Sequence, residues 1–111
     1  MKLVEMGKAS AGVSIDGAPP KNVFPPFQTL KIALPAFGFF SFKKSHAPIL
    51  FIGGGSDNIF PPGLTKTIAG KYTDANSRVD VKIFEGKSHF ICGEPGWEKV
   101  ADYILDWHEG L

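Results

Sequence analysis

The sequence predicts an α/β fold with a short, mainly parallel sheet of about three strands flanked by helices. The segment Pro48 to Ile52 contains Ile-Leu-Phe-Ile, four apolar residues in a row. Such a run favours a strand that is buried on both faces of a parallel sheet. Strand and helix patterns then alternate, with connections long enough for crossovers between parallel strands. The last segment has the apolar spacing of an amphipathic helix, which completes the α/β pattern.

The first strand is predicted at Ala11 to Ile15, and residues 11–16 form the first-strand segment of the domain. It is followed by Gly17-Ala18-Pro19-Pro20. Glycine and two prolines cannot continue a central β-ladder, so we expect the strand to end there. Farther on, the run from Phe37 to Phe42 is rich in phenylalanine and would form an adhesive surface if it were exposed. Packing of this run on the protein's own sheet is the simpler prediction.

The central strand, Pro48 to Ile52, is predicted to end at Gly53-Gly54-Gly55, because glycine permits positive φ and close backbone approach. Pro61-Pro62 then opens a helix that we predict from about Gly63 to Ala75, since proline is tolerated in the first turn. Residues Val79 to Phe84 alternate between apolar and polar side chains. This alternation predicts a strand with one polar face, near a sheet edge.

The helix predicted from Pro95 to His108 has apolar residues at the spacing of one buried face. These residues are Trp97, Val100, Ala101, Ile104, Leu105 and Trp107. A helix after each of the last two strands favours parallel strand pairing, because parallel neighbours need a crossover connection.

Length, charge and cysteine content restrict the function classes. A chain of 111 residues with 43% hydrophobic and 21% charged residues predicts one globular domain, residues 1–111. The formal net charge of +1, with both signs interspersed, indicates neither a nucleic-acid partner nor an anionic membrane. We find no apolar run of membrane-spanning length and no signal-peptide pattern. The single cysteine, Cys92, fits a reducing compartment, so a cytoplasmic protein is predicted, with Cys92 as a small buried thiol.

Asp57 and His89 each follow a predicted strand, the position where open α/β sheets place ligands and reactive groups. An aspartate after a glycine-rich strand exit is, on its own, more often a turn former or a helix N-cap. No spacing among the histidines, Cys92 and the carboxylates resembles a metal site. The three glycines are not followed by the Gly-Lys-Ser/Thr of a phosphate loop. The sequence therefore predicts neither a metal nor a cofactor.

The pattern of a strand, Gly-Gly-Gly-Ser-Asp57, Pro61-Pro62, a helix, a strand and Glu85-Gly86-Lys87-Ser88-His89 resembles the C-terminal third of α/β-hydrolases. The resemblance covers roughly residue 47 to the end, and residues 12–20 look like the preceding strand of such enzymes. It implies that Asp57 is the acid and His89 the general base of an esterase- or lipase-like triad. Residues 47–111 are then the acid and histidine region, and residues 21–46 a shortened cap-like connection.

A triad histidine takes a proton from a hydroxyl nucleophile and returns it to the leaving group, while the acid fixes the tautomer of the imidazole. The family carries its nucleophile in a Gly-x-Ser-x-Gly elbow, which this sequence lacks. In the nearest pattern, Gly12-Val13-Ser14-Ile15-Asp16-Gly17, the second glycine comes one position late and Ser14 falls inside a strand. The resemblance therefore implies a truncated α/β-hydrolase-like unit.

Three functions remain open from the sequence. The first is a protein of ester-hydrolase lineage, weak or inactive alone, that acts on a small ester-like ligand with a nucleophile from another chain. The second is a non-catalytic scaffold that forms a homo-oligomer, or binds a complementary chain, through an open sheet edge or the run from Phe37 to Phe42. The third is a small-ligand pocket above the strand ends, with Asp57 and His89 as polar contacts.

Overall fold

The computed structural model of the protein describes residues 9–15 and 45–111. Within these ranges the elements are β1 (Gly12–Ile15), β2 (Ile49–Gly54), α1 (Pro62–Ala69), β3 (Val79–Phe84) and α2 (Trp97–Glu109). The strands form one sheet in the order β1-β2-β3, and both pairs are parallel. The predicted α/β class is therefore confirmed. The run from Phe37 to Phe42 and almost all of the predicted cap-like connection lie outside the described residues.

Strand β2 is the centre of the core, and all six of its residues are buried. Leu50 and Ile52 pack in one cluster with Val100 and Trp107 of α2. Ile49 and Phe51, on the other face, pack with Ala69 of α1 in a second cluster. Because successive side chains of a strand point to opposite faces, an uninterrupted apolar run has hydrophobic partners only when helices cover both faces. The described elements accordingly form three layers.

Strand β2 continues two residues beyond its predicted end. Gly53 and Gly54 stay in the ladder, paired with Ile83 and Phe84 of β3. The predicted exit at these glycines was wrong, because they meet the need for close packing and not for a turn. A Cβ on Gly53 would lie 3.0 Å from the Thr65 Oγ1 atom of α1. Among the described glycines, positive φ occurs at Gly86 and Gly96 instead.

Helix α1 begins at Pro62, as the two prolines predict, but it ends at Ala69 and not near Ala75. Past the helix, short polar side chains compete for backbone and side-chain hydrogen bonds. The Ser77 hydroxyl donates to Asp74 Oδ2 at 2.5 Å and accepts the His46 N–H at 2.9 Å. These contacts form a turn that leads into β3. The helix itself ends before Gly70, the C-cap residue, whose N–H donates to the Lys66 carbonyl at 3.0 Å.

Helix α2 begins two residues later than predicted, because Gly96 has a φ of 90° and lies outside the helix. Val100 and Trp107 are buried, whereas Trp97 and Leu105 remain 47% and 59% exposed. The buried face is thus narrower than the apolar stripe in the sequence. Trp107 also has a polar contact with the sheet, since its Nε1 donates to Asp80 Oδ2 at 2.6 Å. Neither helix of the described part is long and apolar enough to cross a membrane.

Candidate active site

The carboxylate of Asp57 lies in the turn that follows β2, and its side chain has no exposed surface. Its Oδ1 atom accepts the backbone N–H groups of Ile59 and Phe60, each at 2.8 Å. Burial of a charge is costly unless hydrogen bonds compensate it, and here the turn itself supplies two donors. Asp57 is therefore a turn former, but this role uses only one of its two oxygens.

The second oxygen, Asp57 Oδ2, lies 2.8 Å from Nδ1 of His89, a residue 32 positions later in the chain. The oxygens of an ionised carboxylate can only accept, so in this contact Nδ1 is the donor, and in the neutral imidazole Nε2 then holds the lone pair. Within the part of the chain that the structure describes, no hydrogen bond occupies this Nε2. The His89 side chain is 33% exposed. The structure thus brings together a buried acid and a histidine that solvent or a ligand can reach.

Backbone contacts join the turn after β2 to the loop that carries His89. Ser56 N–H donates to the Lys87 carbonyl at 2.9 Å, and Gly55 N–H donates to the Phe84 carbonyl at 2.8 Å. The two segments approach so closely that a Cβ on Gly54 would lie 2.6 Å from the Ser88 carbonyl oxygen, and nearer still to that of Lys87. Glycine at position 54 is what permits this approach.

The histidine loop is anchored on both sides of His89. Ser88 N–H donates to Glu94 Oε1 at 2.8 Å, and Phe90 N–H donates to Ser88 Oγ at 3.1 Å. Two residues after His89, the side chain of Ile91 is fully buried and packs in the cluster on the α2 face. His89 is therefore held by a loop with defined hydrogen bonds and a hydrophobic anchor.

Cys92 is exposed, so its prediction as a buried thiol was wrong. The turns that follow His89 direct Ile91, the residue before Cys92, into the core instead. Ser14 lies within β1, as the sequence predicts, and pairs with Phe51 in the middle of the sheet. Within the described ranges, no group of three or more His, Cys, Asp and Glu side chains could hold a metal ion.

Sequence reasoning missed two residues that shape the site. Gly54 stood out only as one of three consecutive glycines, and the need for glycine there comes from backbone that lies more than thirty residues later. Glu94 had no local signal, because its partner is the backbone amide of Ser88, six positions earlier. A carboxylate just before a predicted helix could have been noted as a loop-closing group, but its acceptor role depends on how the loop folds.

The chain is similar to ester hydrolases in both sequence and structure. Residues 29–103 match the model of the dienelactone hydrolase family. Among curated proteins, none matches the chain. A monoacylglycerol lipase from Paleococcus ferrophilus is similar in structure, with a TM-score of 0.53 and 23% identity over 73% of this chain and 29% of the lipase.

Two structures of an esterase from the Planctomycetes species Thermogutta terrifontis are also similar. The butyrate-bound form gives a TM-score of 0.57 at 18% identity, covering 88% of this chain and 43% of the esterase. The form phosphonylated by sarin gives 0.54 at 19% identity, covering 88% of this chain and 44% of the esterase. The chain spans less than half the length of these structures, and at such identities the likeness shows the fold.

The close approach at Gly54 leads to a prediction. Gly54→Ala should displace the carbonyls of Lys87 and Ser88 and lower the free energy of unfolding by about 1–3 kcal/mol, because the added methyl group meets backbone and not a flexible side chain. The Nδ1 proton signal of His89 should shift or disappear in the NMR spectrum. Urea unfolding and the imidazole spectrum measure these two effects.

Gly63→Ala is the matched control. Gly63 lies in α1, and a Cβ there would meet nothing within 4 Å. Alanine is favoured over glycine in a helix, so this variant should gain up to about 1 kcal/mol and leave the His89 signal in place. Equal stability effects of the two substitutions would contradict the close-packing role of Gly54.

Proposed function

Because the chain belongs to the dienelactone hydrolase family, we propose that Asp57 and His89 are the acid and the general base of an ester-hydrolase site. The observation that carries this proposal is the 2.8 Å contact between His89 Nδ1 and Asp57 Oδ2. A turn-forming aspartate needs no histidine partner. Here the oxygen that the turn leaves unused contacts an imidazole whose other nitrogen has no partner among the described residues.

The geometry defines a role for each group. Asp57 Oδ2 accepts a hydrogen bond from His89 Nδ1–H, and the proton stays on Nδ1, which leaves Nε2 as the basic nitrogen. Nε2 takes the proton of a hydroxyl as its oxygen attacks the ester carbonyl and the carbonyl electrons move onto oxygen. The imidazolium, stabilised by the Asp57 carboxylate, then protonates the leaving alkoxide as the tetrahedral intermediate collapses and the acyl group stays on the nucleophile. Water, deprotonated by Nε2, then attacks this acyl group, and the imidazolium returns the proton to the nucleophile as the acid product leaves. Exposure of one third of the His89 side chain lets the reacting groups approach.

The nucleophile is the missing part of this proposal. The sequence has no Gly-x-Ser-x-Gly pattern. Loss of the nucleophilic serine lowers kcat by about 10⁶ in subtilisin. We infer that residues 1–111 alone are weak or inactive and that activity needs a nucleophile from outside them.

The proposed substrate is a carboxylic ester. The family name refers to a lactone, which is a cyclic ester, and the names of two similar structures refer to a monoacylglycerol lipase and to an esterase with bound butyrate. These names support the substrate class. A short-chain aryl ester such as an aryl butyrate is a suitable first probe, because the phenol that hydrolysis releases is easily measured.

Hydrolysis of an aryl butyrate by the purified chain tests the role of His89. We expect His89→Ala to reduce any hydrolysis to the level of buffer, because no base then activates the hydroxyl. His108→Ala is the control, since His108 is exposed in the last turn of α2. If the purified chain does hydrolyse the ester, a serine-directed phosphonate, the chemistry that modified the similar esterase, should label the nucleophile, with Ser14, Ser56 and Ser88 as the first candidates.

Hydrolysis that persists in His89→Ala would contradict the role of this residue. If the wild-type chain and His89→Ala both equal buffer, the chain has no nucleophile of its own. The role of His89 is then tested by adding a complementary chain that carries one.

Asp57→Asn tests the acid separately. The amide oxygen of asparagine can still accept the N–H groups of Ile59 and Phe60, but its NH₂ group then faces His89 Nδ1. We expect the imidazole proton to move from Nδ1 to Nε2, which removes the basic lone pair, and any hydrolysis to fall by about 10⁴ as for the equivalent change in trypsin. Imidazole ¹⁵N NMR distinguishes the two tautomers without any need for turnover. Persistence of the Nδ1–H tautomer in Asp57→Asn would refute the acid's role.

A second candidate function is association through the free side of β1. Within residues 9–15 and 45–111, β1 pairs with β2 alone. Gly12 N–H donates to the Pro48 carbonyl, so the strand alternation directs the polar groups of Gly12 and Ser14 toward β2. The N–H and C=O groups of Val13 and Ile15 point to the opposite side. Outward-pointing N–H and C=O groups of this kind can form hydrogen bonds with a strand of a second copy or of a complementary chain.

Val13→Pro tests this edge. Proline removes the outward N–H of Val13 but no hydrogen bond to β2, and it is tolerated in edge strands whose N–H faces away from the sheet. We expect Val13→Pro to abolish association in light scattering across a concentration series. Val13→Ala keeps the N–H and should still associate. A wild-type chain that stays monomeric at high concentration would contradict self-association through β1.

A further inference from the structure

Hydrogen bonds within the loop from Ser88 to Glu94 join its two ends. Ser88 N–H donates to Glu94 Oε1 at 2.8 Å, Phe90 N–H donates to Ser88 Oγ at 3.1 Å, and Glu94 N–H donates to the Phe90 carbonyl at 2.9 Å. His89 lies between the first two donors. We propose that Glu94 is a positioning residue, which holds His89 against Asp57 by accepting the hydrogen bond of the Ser88 amide.

Glu94 is itself well placed to act as a fixed point. Its carbonyl accepts the N–H of Trp97 at 3.1 Å, which connects it to the first residue of α2. Helix α2 is in turn packed on the sheet through Val100 and Trp107. A continuous set of contacts therefore runs from the core, through the start of α2 and the Glu94 carboxylate, to the backbone immediately before His89.

The contact between His89 and Asp57 depends on this backbone. The acid cannot move to follow the histidine, because its Oδ1 atom is held by two N–H groups and its side chain is fully buried. A hydrogen bond to a carboxylate is directional, and it weakens steeply once the donor is misaligned. The loop must therefore present the imidazole at one place, and the bond from Ser88 to Glu94 fixes the residue next to it.

Two properties of Glu94 need to be separated, its negative charge and its acceptor oxygen. Glu94→Gln removes the charge but keeps an oxygen that can accept the Ser88 N–H. Glu94→Ala removes both. Glu98→Ala removes an equal charge from an exposed position in the first turn of α2. If the acceptor is what matters, Glu94→Gln resembles the wild type and Glu94→Ala does not.

The test uses NMR on the full chain, with hydrogen exchange of the Ser88 amide and the Nδ1 proton of His89 as readouts. In Glu94→Ala we expect exchange at Ser88 to accelerate about tenfold or more, as for loss of a hydrogen bond to a charged group. The His89 Nδ1 proton should broaden or shift as its bond to Asp57 loosens. Both signals should recover in Glu94→Gln and remain unchanged in Glu98→Ala.

Either of two results would overturn the proposal. One is an unchanged His89 Nδ1 proton in Glu94→Ala, which would mean that the loop holds the imidazole without Glu94. The other is an equal effect of Glu94→Ala and Glu94→Gln, which would assign the effect to charge. The catalytic meaning of this positioning rests on the proposed function. The readouts do not use turnover, so the positioning role is tested even if the chain hydrolyses no ester.

Discussion

The burial of the Asp57 carboxylate is the constraint on which the site depends. A charge with no exposed surface needs hydrogen bonds from within the protein, and Asp57 obtains two from its own turn and one from His89. The two backbone donors exist only if the chain turns immediately after β2. The third donor exists only if a loop from beyond β3 returns to the same place. The buried carboxylate therefore keeps all three hydrogen bonds only when both connections are in their native form.

Parallel pairing explains how two residues 32 positions apart meet. Gly54, the last residue of β2, pairs with Phe84, the last residue of β3. Because the strands run in the same direction, both end at one edge of the sheet, and the chain after each end carries one member of the pair. The glycine at position 54 lets the loop after β3 approach the turn after β2. His89 can therefore contact Asp57 directly.

Much of this arrangement could be predicted from local sequence patterns. The alternation in Val79 to Phe84 predicted the bounds of β3. The strand ends placed an acid and a histidine at one edge of the sheet, and the resemblance to α/β-hydrolases implied that the two residues pair. The features that were missed depend on parts of the chain distant in sequence. Gly54 is required by the backbone of a later loop, and Ile91 occupies the core position that leaves Cys92 exposed. A local pattern shows which residues can be buried or can turn, but the folded neighbours decide which of them do so.

The two candidate functions are connected by the direction of the strands. A strand that pairs with β1 in the parallel sense ends at the same edge of the sheet as β2 and β3, the edge that carries Asp57 and His89. An antiparallel strand would begin there instead and carry its own end to the opposite edge. In α/β-hydrolases with a nucleophile elbow, the nucleophile lies where a strand ends and a helix begins. Association in the parallel sense would thus extend the sheet and bring a nucleophile toward His89 Nε2, so the two proposed functions are compatible with each other.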